Sequence, residues 1–163
     1  MLIKLKNKDT LIFDEFKFKC AIGKNGLKKN KIEGDKSTPK GIFSLGKLYY
    51  RSDRVPKPES NLTTKKITKN LGWCDISNNK YYNQEVSSLK NVNKENFFRK
   101  DNKYDYLIII NYNKNKIKNK GSAIFIHVAK NNYKSTAGCI ALKKRDLIKV
   151  IKIITTKTII KIN

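Results

Sequence analysis

Short apolar runs broken by lysine dominate the first fifty residues. At the start of the chain Leu2, Ile3 and Leu5 are separated by lysines. Alternation with a period of two is typical of a strand that buries one face. Runs of turn-forming residues separate one such segment from the next. The pattern therefore predicts strands over residues 2–5, 10–13, 16–22 and 42–45.

Longer apolar runs mark the second half of the chain. Continuous runs over 104–111 and 122–128 predict buried strands, and His127 stands near the end of the second. From Lys143 to Ile154 the period changes to that of a helix, with one apolar face formed by Leu147, Ile148, Ile151 and Ile154. A last strand is predicted over residues 158–162.

Residues 51–103 are the least regular part of the chain. Pro56, Pro58 and Gly72 interrupt any period, and a short helix is predicted only around Asn93–Arg99. Long irregular segments inside compact domains are often functional. The whole pattern indicates a mainly β fold with one clear helix near the C-terminus. A chain of 163 residues is the length of one domain, so we predict a single domain over 1–163.

The charge of the chain is strongly positive, at +24 from 37 basic and 13 acidic residues. Such a value raises the alternative of a basic nucleic-acid-binding module. The lysines are spread along the whole chain, however, and arginine occurs only at positions 51, 54, 99 and 145. This distribution favours a solvated surface with general attraction for anions, and no specific nucleic-acid partner.

The cysteines and the N-terminal residues bear on the cellular location of the protein. Cys20, Cys74 and Cys139 are odd in number and lack metal-type spacing, which suits a reducing environment. Charged residues interrupt positions 1–20, so we expect no signal peptide, and no run reaches membrane-spanning length. We therefore expect a cytoplasmic protein, or a periplasmic one if a leader is missing. Cys20 and Cys74 are interpreted as structural, and no metal or other cofactor is implied.

The candidate chemistry lies in two short segments. His127 is the single histidine of the chain, and Cys139 follows twelve residues later in Thr136-Ala-Gly-Cys139. A thiol becomes a strong nucleophile as the thiolate, and a nearby imidazole is the usual base. The turn permitted by Gly138 would let the backbone N–H groups of Ala137, Gly138 and Cys139 bind an oxyanion. The alternative is a small buried cysteine and a hydrogen-bonded core histidine.

These segments resemble the L,D-transpeptidase catalytic-domain (YkuD) family. That family has a histidine at the end of a strand, matched by His127, and a downstream Ser/Thr-His-Gly-Cys segment, matched by Thr136, Gly138 and Cys139. Upstream, Glu33–Phe43 is similar to its Gly-Asp…Thr-Pro-x-Gly-x-Phe segment. The resemblance implies a β-sandwich of mixed strands. It also implies a Cys139 nucleophile and a His127 base acting on peptidoglycan stem peptides, with sensitivity to carbapenem-type inhibitors.

Some positions depart from the family pattern. Ala137 replaces the second histidine, Ala141 replaces a frequent Arg or Asn, and the loop between His127 and Cys139 is shorter. These changes keep the nucleophile and base but alter the acceptor side. We therefore expect an L,D-carboxypeptidase that removes D-alanine after diaminopimelate during muropeptide recycling. The alternative is an L,D-transpeptidase that forms 3-3 cross-links or exchanges D-amino acids.

Further residues are candidates for binding the stem peptide. Arg54 has a planar fork suited to a carboxylate, although an ion pair with Asp53 or another acid is the alternative. The other candidates are Trp73, Tyr82, Asn83 and Thr136. The alternative for each is a structural role, in packing or in the turn before Cys139. Asp35 and Thr38 are expected to stabilise their own loop.

Overall fold

The structure is a computed structural model that describes residues 1–87 and 93–163. Strands make up most of its regular structure, with one α-helix and one short 3-10 turn at Asn131–Tyr133. The strands are β1 (Leu2–Asn7), β2 (Thr10–Phe13), β3 (Phe16–Ala21), β4 (Leu27–Lys28), β5 (Thr38–Pro39), β6 (Gly41–Tyr50), β7 (Thr64–Lys66), β8 (Gly72–Cys74), β9 (Gln84–Val86), β10 (Glu95–Asn96), β11 (Tyr106–Ile110), β12 (Phe125–Val128), β13 (Ile140–Leu142) and β14 (Ile159–Ile162); the helix is α1 (Lys144–Ile153).

Two sheets share a pair of strands at their borders. Sheet A has the order β3-β2-β1-β14-β6, and sheet B continues as β3-β13-β12-β11-β6-β7. The first half of β6 pairs with β14, and its second half pairs with β11. Likewise β3 pairs first with β2 and then with β13. Most pairs are antiparallel, but β1 with β14, β12 with β13 and β6 with β7 are parallel, so the sandwich is mixed.

The long strand β6 changes sheets near Gly46. A side chain at this position would come within 2.9 Å of Asn111 Oδ1 and 3.0 Å of Ile109 Cβ. The ladder between β6 and β11 also shifts register between Ile108 and Ile110. A glycine that allows close approach and a bulge beside it are the usual means of bending a strand. Together they let one strand serve both sheets.

Sheet B is buried on both faces. Ile108, Ile126 and Ile140 lie in the core between the sheets, which α1 extends with Leu147 and Val150. The opposite face has a second apolar cluster, which consists of Tyr49, Ile67, Leu71, Phe97, Tyr104, Leu107, Ile109, Phe125 and Cys139. Residues of the irregular 51–103 segment therefore cover the outer face of sheet B. This double burial explains the unbroken apolar runs in β11 and β12.

The predicted fold class is confirmed, and so are the strands named from the sequence. The helix also lies where its period predicts, although its buried face consists of Leu147, Val150 and Ile151. In the part of the chain the structure describes, no helix is long and apolar enough to cross a membrane.

The short helix predicted around Asn93–Arg99 is wrong. Glu95 and Asn96 form β10 instead, which pairs with β8, and Phe97 is fully buried in the second apolar cluster. The Phe97 N–H donates to the Leu71 carbonyl at 3.0 Å. Tertiary pairing and the burial of one aromatic ring override a weak local preference here.

Strand β14 provides a test of this architecture, because it joins β1 to β6. Ile160 is fully buried there, whereas its neighbour Ile159 is 38% exposed. We expect Ile160→Ala to lower the free energy of unfolding by about 2–5 kcal/mol, since it empties space in a packed core. Ile159→Ala is the matched control and should cost less than about 1 kcal/mol. Chemical denaturation measures both, and equal losses would contradict the assigned register.

Candidate active site

The parallel pairing of β12 with β13 brings His127 and Cys139 to one face of sheet B. His127 is in register with Ala141, and Cys139 is two residues before Ala141, so both side chains leave the sheet on the same side. Strand spacing and rise place their Cα atoms about 8 Å apart. That separation suits a pair of side chains that meet on a common substrate atom.

The turn before Cys139 depends on the glycine at 138. Gly138 has φ +138°, and a Cβ there would lie 2.8 Å from the Ser37 carbonyl oxygen. Its own carbonyl accepts a hydrogen bond from Thr38 Oγ1 at 2.8 Å, and that hydroxyl also accepts the Gly23 N–H at 2.9 Å. The segment 34–41 therefore holds the turn in place, and the Thr38 hydroxyl bonds Gly138 and Gly23 rather than the loop that it was expected to stabilise.

The hydrogen bonds of this turn reduce the set of oxyanion donors. The Gly138 N–H donates to Thr136 Oγ1 at 3.1 Å, and the same hydroxyl donates to the Cys139 carbonyl at 2.6 Å. Thr136 thus closes the turn rather than facing a substrate, and Gly138 has no free donor. Within residues 1–87 and 93–163, no hydrogen bond uses the N–H of Ala137 or Cys139. These two amides remain as candidate donors.

His127 has one nitrogen bound and one nitrogen without a partner. Its Nδ1 lies 2.9 Å from the Val128 carbonyl oxygen, which requires the hydrogen to be on Nδ1. Its Nε2 is buried and, among the described residues, has no hydrogen-bond partner. The ring of Tyr104 packs edge-on against the imidazole, with centroids 5.5 Å apart. The free lone pair on Nε2 is what a general base requires.

Both candidate catalytic groups are uncharged near neutral pH. Burial, together with the positive charge of the nearby Lys103, lowers the pKa of His127 from 6.5 to about 3. Burial also raises the pKa of the Cys139 thiol from 9.0 to about 11, although Lys103 opposes that shift. In this resting state the thiol donates to the Ala123 carbonyl at 3.3 Å. The site is therefore a neutral thiol beside a neutral imidazole.

A cavity of about 230 Å³ opens beside Cys139. Side chains of both charges line it, together with Tyr104 and the Ala137 turn. The lining residues are Lys31, Glu33, Gly34, Lys36, Asp75, Glu95, Lys103, Tyr104, Ser122, Ala123, Ala137 and Cys139. In the described chain, no group of three or more Asp, Glu, His and Cys side chains is arranged to hold a metal ion.

Most charged residues of this cavity were not predicted from the sequence. Lys31 is 5% exposed and its Nζ lies 2.6 Å from Asp35 Oδ1. On the other wall Glu95 Oε1 accepts the Tyr104 hydroxyl at 2.6 Å. Burial raises the pKa of Asp75, and the neighbouring Glu95 raises it further. Single lysines and acids in a chain with so many charges gave no signal of this convergence.

Trp73 and Asn83 lie behind the cysteine rather than in the lining of the cavity. Asn83 Oδ1 accepts the indole N–H of Trp73 at 2.9 Å and the Ala123 N–H at 3.2 Å. The carbonyl of Ala123 in turn accepts the Cys139 thiol. Two residues expected to bind substrate therefore position the backbone that holds the nucleophile.

Tyr82 and Arg54 also lie outside the lining of the cavity. Tyr82 is buried and its hydroxyl donates to Glu33, which also accepts the Ser122 hydroxyl at 2.7 Å. Arg54 donates to the carbonyls of Asp101 and Lys100 at 2.8 and 2.9 Å. The guanidinium thus braces the 100–105 loop, so the structure does not bring it together with Cys139.

Comparison with known proteins agrees with this arrangement. The family model of the YkuD L,D-transpeptidase catalytic domain matches residues 3–162. The chain therefore belongs to the L,D-transpeptidase catalytic-domain family, whose activity is cysteine acyl transfer on peptidoglycan. No curated protein matches the chain, and no solved structure matches it either.

The buried imidazole predicts an acid dependence of stability. The unfolded chain binds a proton on His127 below pH 6.5, whereas the folded chain does so only near pH 3. The unfolded state then holds more protons, so the free energy of unfolding should fall by up to about 1.4 kcal/mol per pH unit as pH decreases. Denaturation of wild type and His127→Gln from pH 6.5 to 4.5 measures this. Parallel pH profiles would contradict the assignment.

The catalytic turn predicts a steep cost for a side chain at Gly138. Gly138→Ala combines an unfavourable φ with a 2.8 Å approach to the Ser37 carbonyl, so we expect a loss of about 2 kcal/mol or more in unfolding free energy. Gly34→Ala is the matched control, because Gly34 also has a positive φ but its Cβ would meet nothing within 4 Å. It should cost about 1 kcal/mol. Equal losses would show that the turn has room to relax.

Proposed function

We propose that Cys139 and His127 form the catalytic pair of an L,D-carboxypeptidase within this family, with the chain as one catalytic domain. The observation that carries the proposal is the parallel pairing of β12 with β13, which sets His127 in β12 and Cys139 directly before β13 on one face, with the thiol at a cavity. The substrate is a tetrapeptide stem. The bond cleaved joins the L-centre of diaminopimelate to the terminal D-alanine.

The reaction begins from the neutral pair. His127 Nε2 takes the thiol proton as the Cys139 sulfur attacks the carbonyl carbon, so a free thiolate never accumulates. The hydrogen bond from Nδ1 to the Val128 carbonyl stabilises the imidazolium that forms. That imidazolium then gives its proton to the leaving amine of D-alanine. The products of this half-reaction are D-alanine and a thioester on Cys139.

The developing oxyanion needs donors aimed at it. The amides of Ala137 and Cys139 are the candidates, because the Gly138 amide is bound to Thr136. Lys103 lies close enough to lower the pKa of both catalytic groups, so its positive charge also favours negative charge in the transition state. Other basic groups of the lining offer attraction for the carboxylates of the stem peptide.

The size of the cavity supports water as the acyl acceptor. At about 230 Å³ it is smaller than pockets that hold drug-sized ligands, so a second stem peptide would find little space beside the first. On the acceptor side, Ala137 is exposed without a polar side chain, and Ala141 is buried in β13. Water hydrolyses the thioester with His127 as base. Transpeptidation to an amine remains the alternative, and the role proposed is the trimming of muropeptides during recycling.

Substitution of the catalytic pair should separate chemistry from folding. We expect Cys139→Ala and His127→Ala to lower D-alanine release from a disaccharide tetrapeptide by at least about a thousandfold. Cys20→Ala is the matched control, because Cys20 is a buried thiol of the core between the sheets. It should keep most of the activity. Release is measured with and without an added D-amino acid, and circular dichroism monitors folding.

The products distinguish the two activities. D-alanine and tripeptide alone support hydrolysis, whereas an exchanged D-amino acid supports transpeptidation. Mass spectrometry after exposure to a carbapenem should show one adduct, located on Cys139. Unchanged turnover in Cys139→Ala, or an adduct on Cys20 or Cys74, would refute the proposed nucleophile.

A further inference from the structure

The outer face of sheet A has lysines without acidic neighbours. In strands β1, β3 and β14 the outward, exposed positions include Lys4, Lys6, Lys17 and Lys161. Within the described residues none of these four lysines forms an ion pair. The nearest acids in sequence, Asp9, Asp14 and Glu15, fall in the turns between β1, β2 and β3. We call these four lysines, together with Ile12, Ile42 and Ile159, the lysine face.

The strand register aligns five members of the lysine face in one straight row. The row runs across five strands as Lys17, Ile12, Lys4, Lys161 and Ile42. It spans about 19 Å at roughly 4.8 Å per strand. Lys4 and Lys161 are directly opposite each other, a pairing of like charges that destabilises a sheet. An anionic surface against the face would relieve that repulsion.

Two of the three isoleucines of the face are exposed to an unusual degree. Ile42 is 61% exposed and Ile159 is 38% exposed, and both side chains point outward from sheet A. Isoleucines between lysines suit a membrane interface, where the ammonium groups meet lipid phosphates and the apolar groups enter the headgroup layer. Recognition of nucleic acid would favour arginine forks or stacking rings, which these five positions of the row lack.

We propose that the lysine face docks the protein onto an anionic phospholipid surface. The face lies on the opposite side of the sandwich from the candidate active site, because Cys139 belongs to the cluster on the outer face of sheet B. Docking through sheet A therefore leaves the catalytic cavity open to solution. The proposal does not depend on which acyl acceptor the enzyme uses.

Vesicle sedimentation tests the charge of the face. Wild type should bind vesicles of phosphatidylglycerol and phosphatidylcholine, and bind pure phosphatidylcholine at least about tenfold more weakly. Lys4→Gln/Lys6→Gln/Lys17→Gln/Lys161→Gln should bind the anionic vesicles at least about tenfold more weakly than wild type. Lys57→Gln/Lys69→Gln/Lys114→Gln/Lys149→Gln removes the same charge from exposed sites elsewhere and should change binding by less than about threefold. Equal losses in both variants would overturn the proposal.

A second pair of variants separates a membrane from a soluble polyanion. Ile42→Ser/Ile159→Ser keeps the charge and should weaken vesicle binding several-fold, whereas the equally exposed pair Ile76→Ser/Ile117→Ser should not. Wild-type binding by Ile42→Ser/Ile159→Ser would overturn the assignment to a lipid surface. The assignment would also be overturned if Lys4→Gln/Lys6→Gln/Lys17→Gln/Lys161→Gln lost as much affinity for duplex DNA as for the anionic vesicles. Circular dichroism and unchanged turnover show that each variant is folded.

Discussion

The parallel alignment of β12 and β13 is the constraint on which the candidate site depends. A parallel pair needs a crossover, and here residues 129–139 both cross over and present the nucleophile. The end of this crossover is held from outside by Thr38, which bonds the Gly138 carbonyl, and by the close approach of Ser37 to Gly138. A segment a hundred residues away in sequence thus holds the turn that presents Cys139. Without these contacts the parallel register would still place the Cα atom of Cys139 near His127, but the backbone that orients the thiol would not be fixed.

Burial on both faces of sheet B gives the site its chemical character. The cover provided by Leu71, Phe97 and Tyr104 buries most of His127 and Cys139, and this burial keeps both groups uncharged in the resting state. A neutral pair resists adventitious oxidation and alkylation, because the thiolate is the reactive form. The same cover orders the polar chain from Trp73 through Asn83 to Ala123, which ends at the thiol. Described residues of the irregular 51–103 segment, among them Trp73, Asn83 and Phe97, therefore support the site structurally.

The two sheets of the sandwich have opposite surroundings. Sheet B packs against an apolar cluster on each side and has the candidate catalytic pair on its outer side, whereas sheet A packs against an apolar core on its inner side alone. The outward positions of sheet A are free to be charged, and lysine occupies many of them. The core between the sheets separates the lysine face from the neutral catalytic pair, whereas Lys31, Lys36 and Lys103 lie at the catalytic cavity itself.

The sequence by itself determined the strands, the C-terminal helix and the pair of residues on which the function is proposed to depend. It did so because the pattern of apolar residues indicates which side chains are buried, and because His127 and Cys139 match two segments of the family that the chain resembles. It did not predict that residues 93–99 avoid a helix, nor that Arg54, Trp73 and Asn83 bond to the protein itself. Only the tertiary structure decided these points, since a periodic pattern shows that a position is buried but not which distant group it meets there.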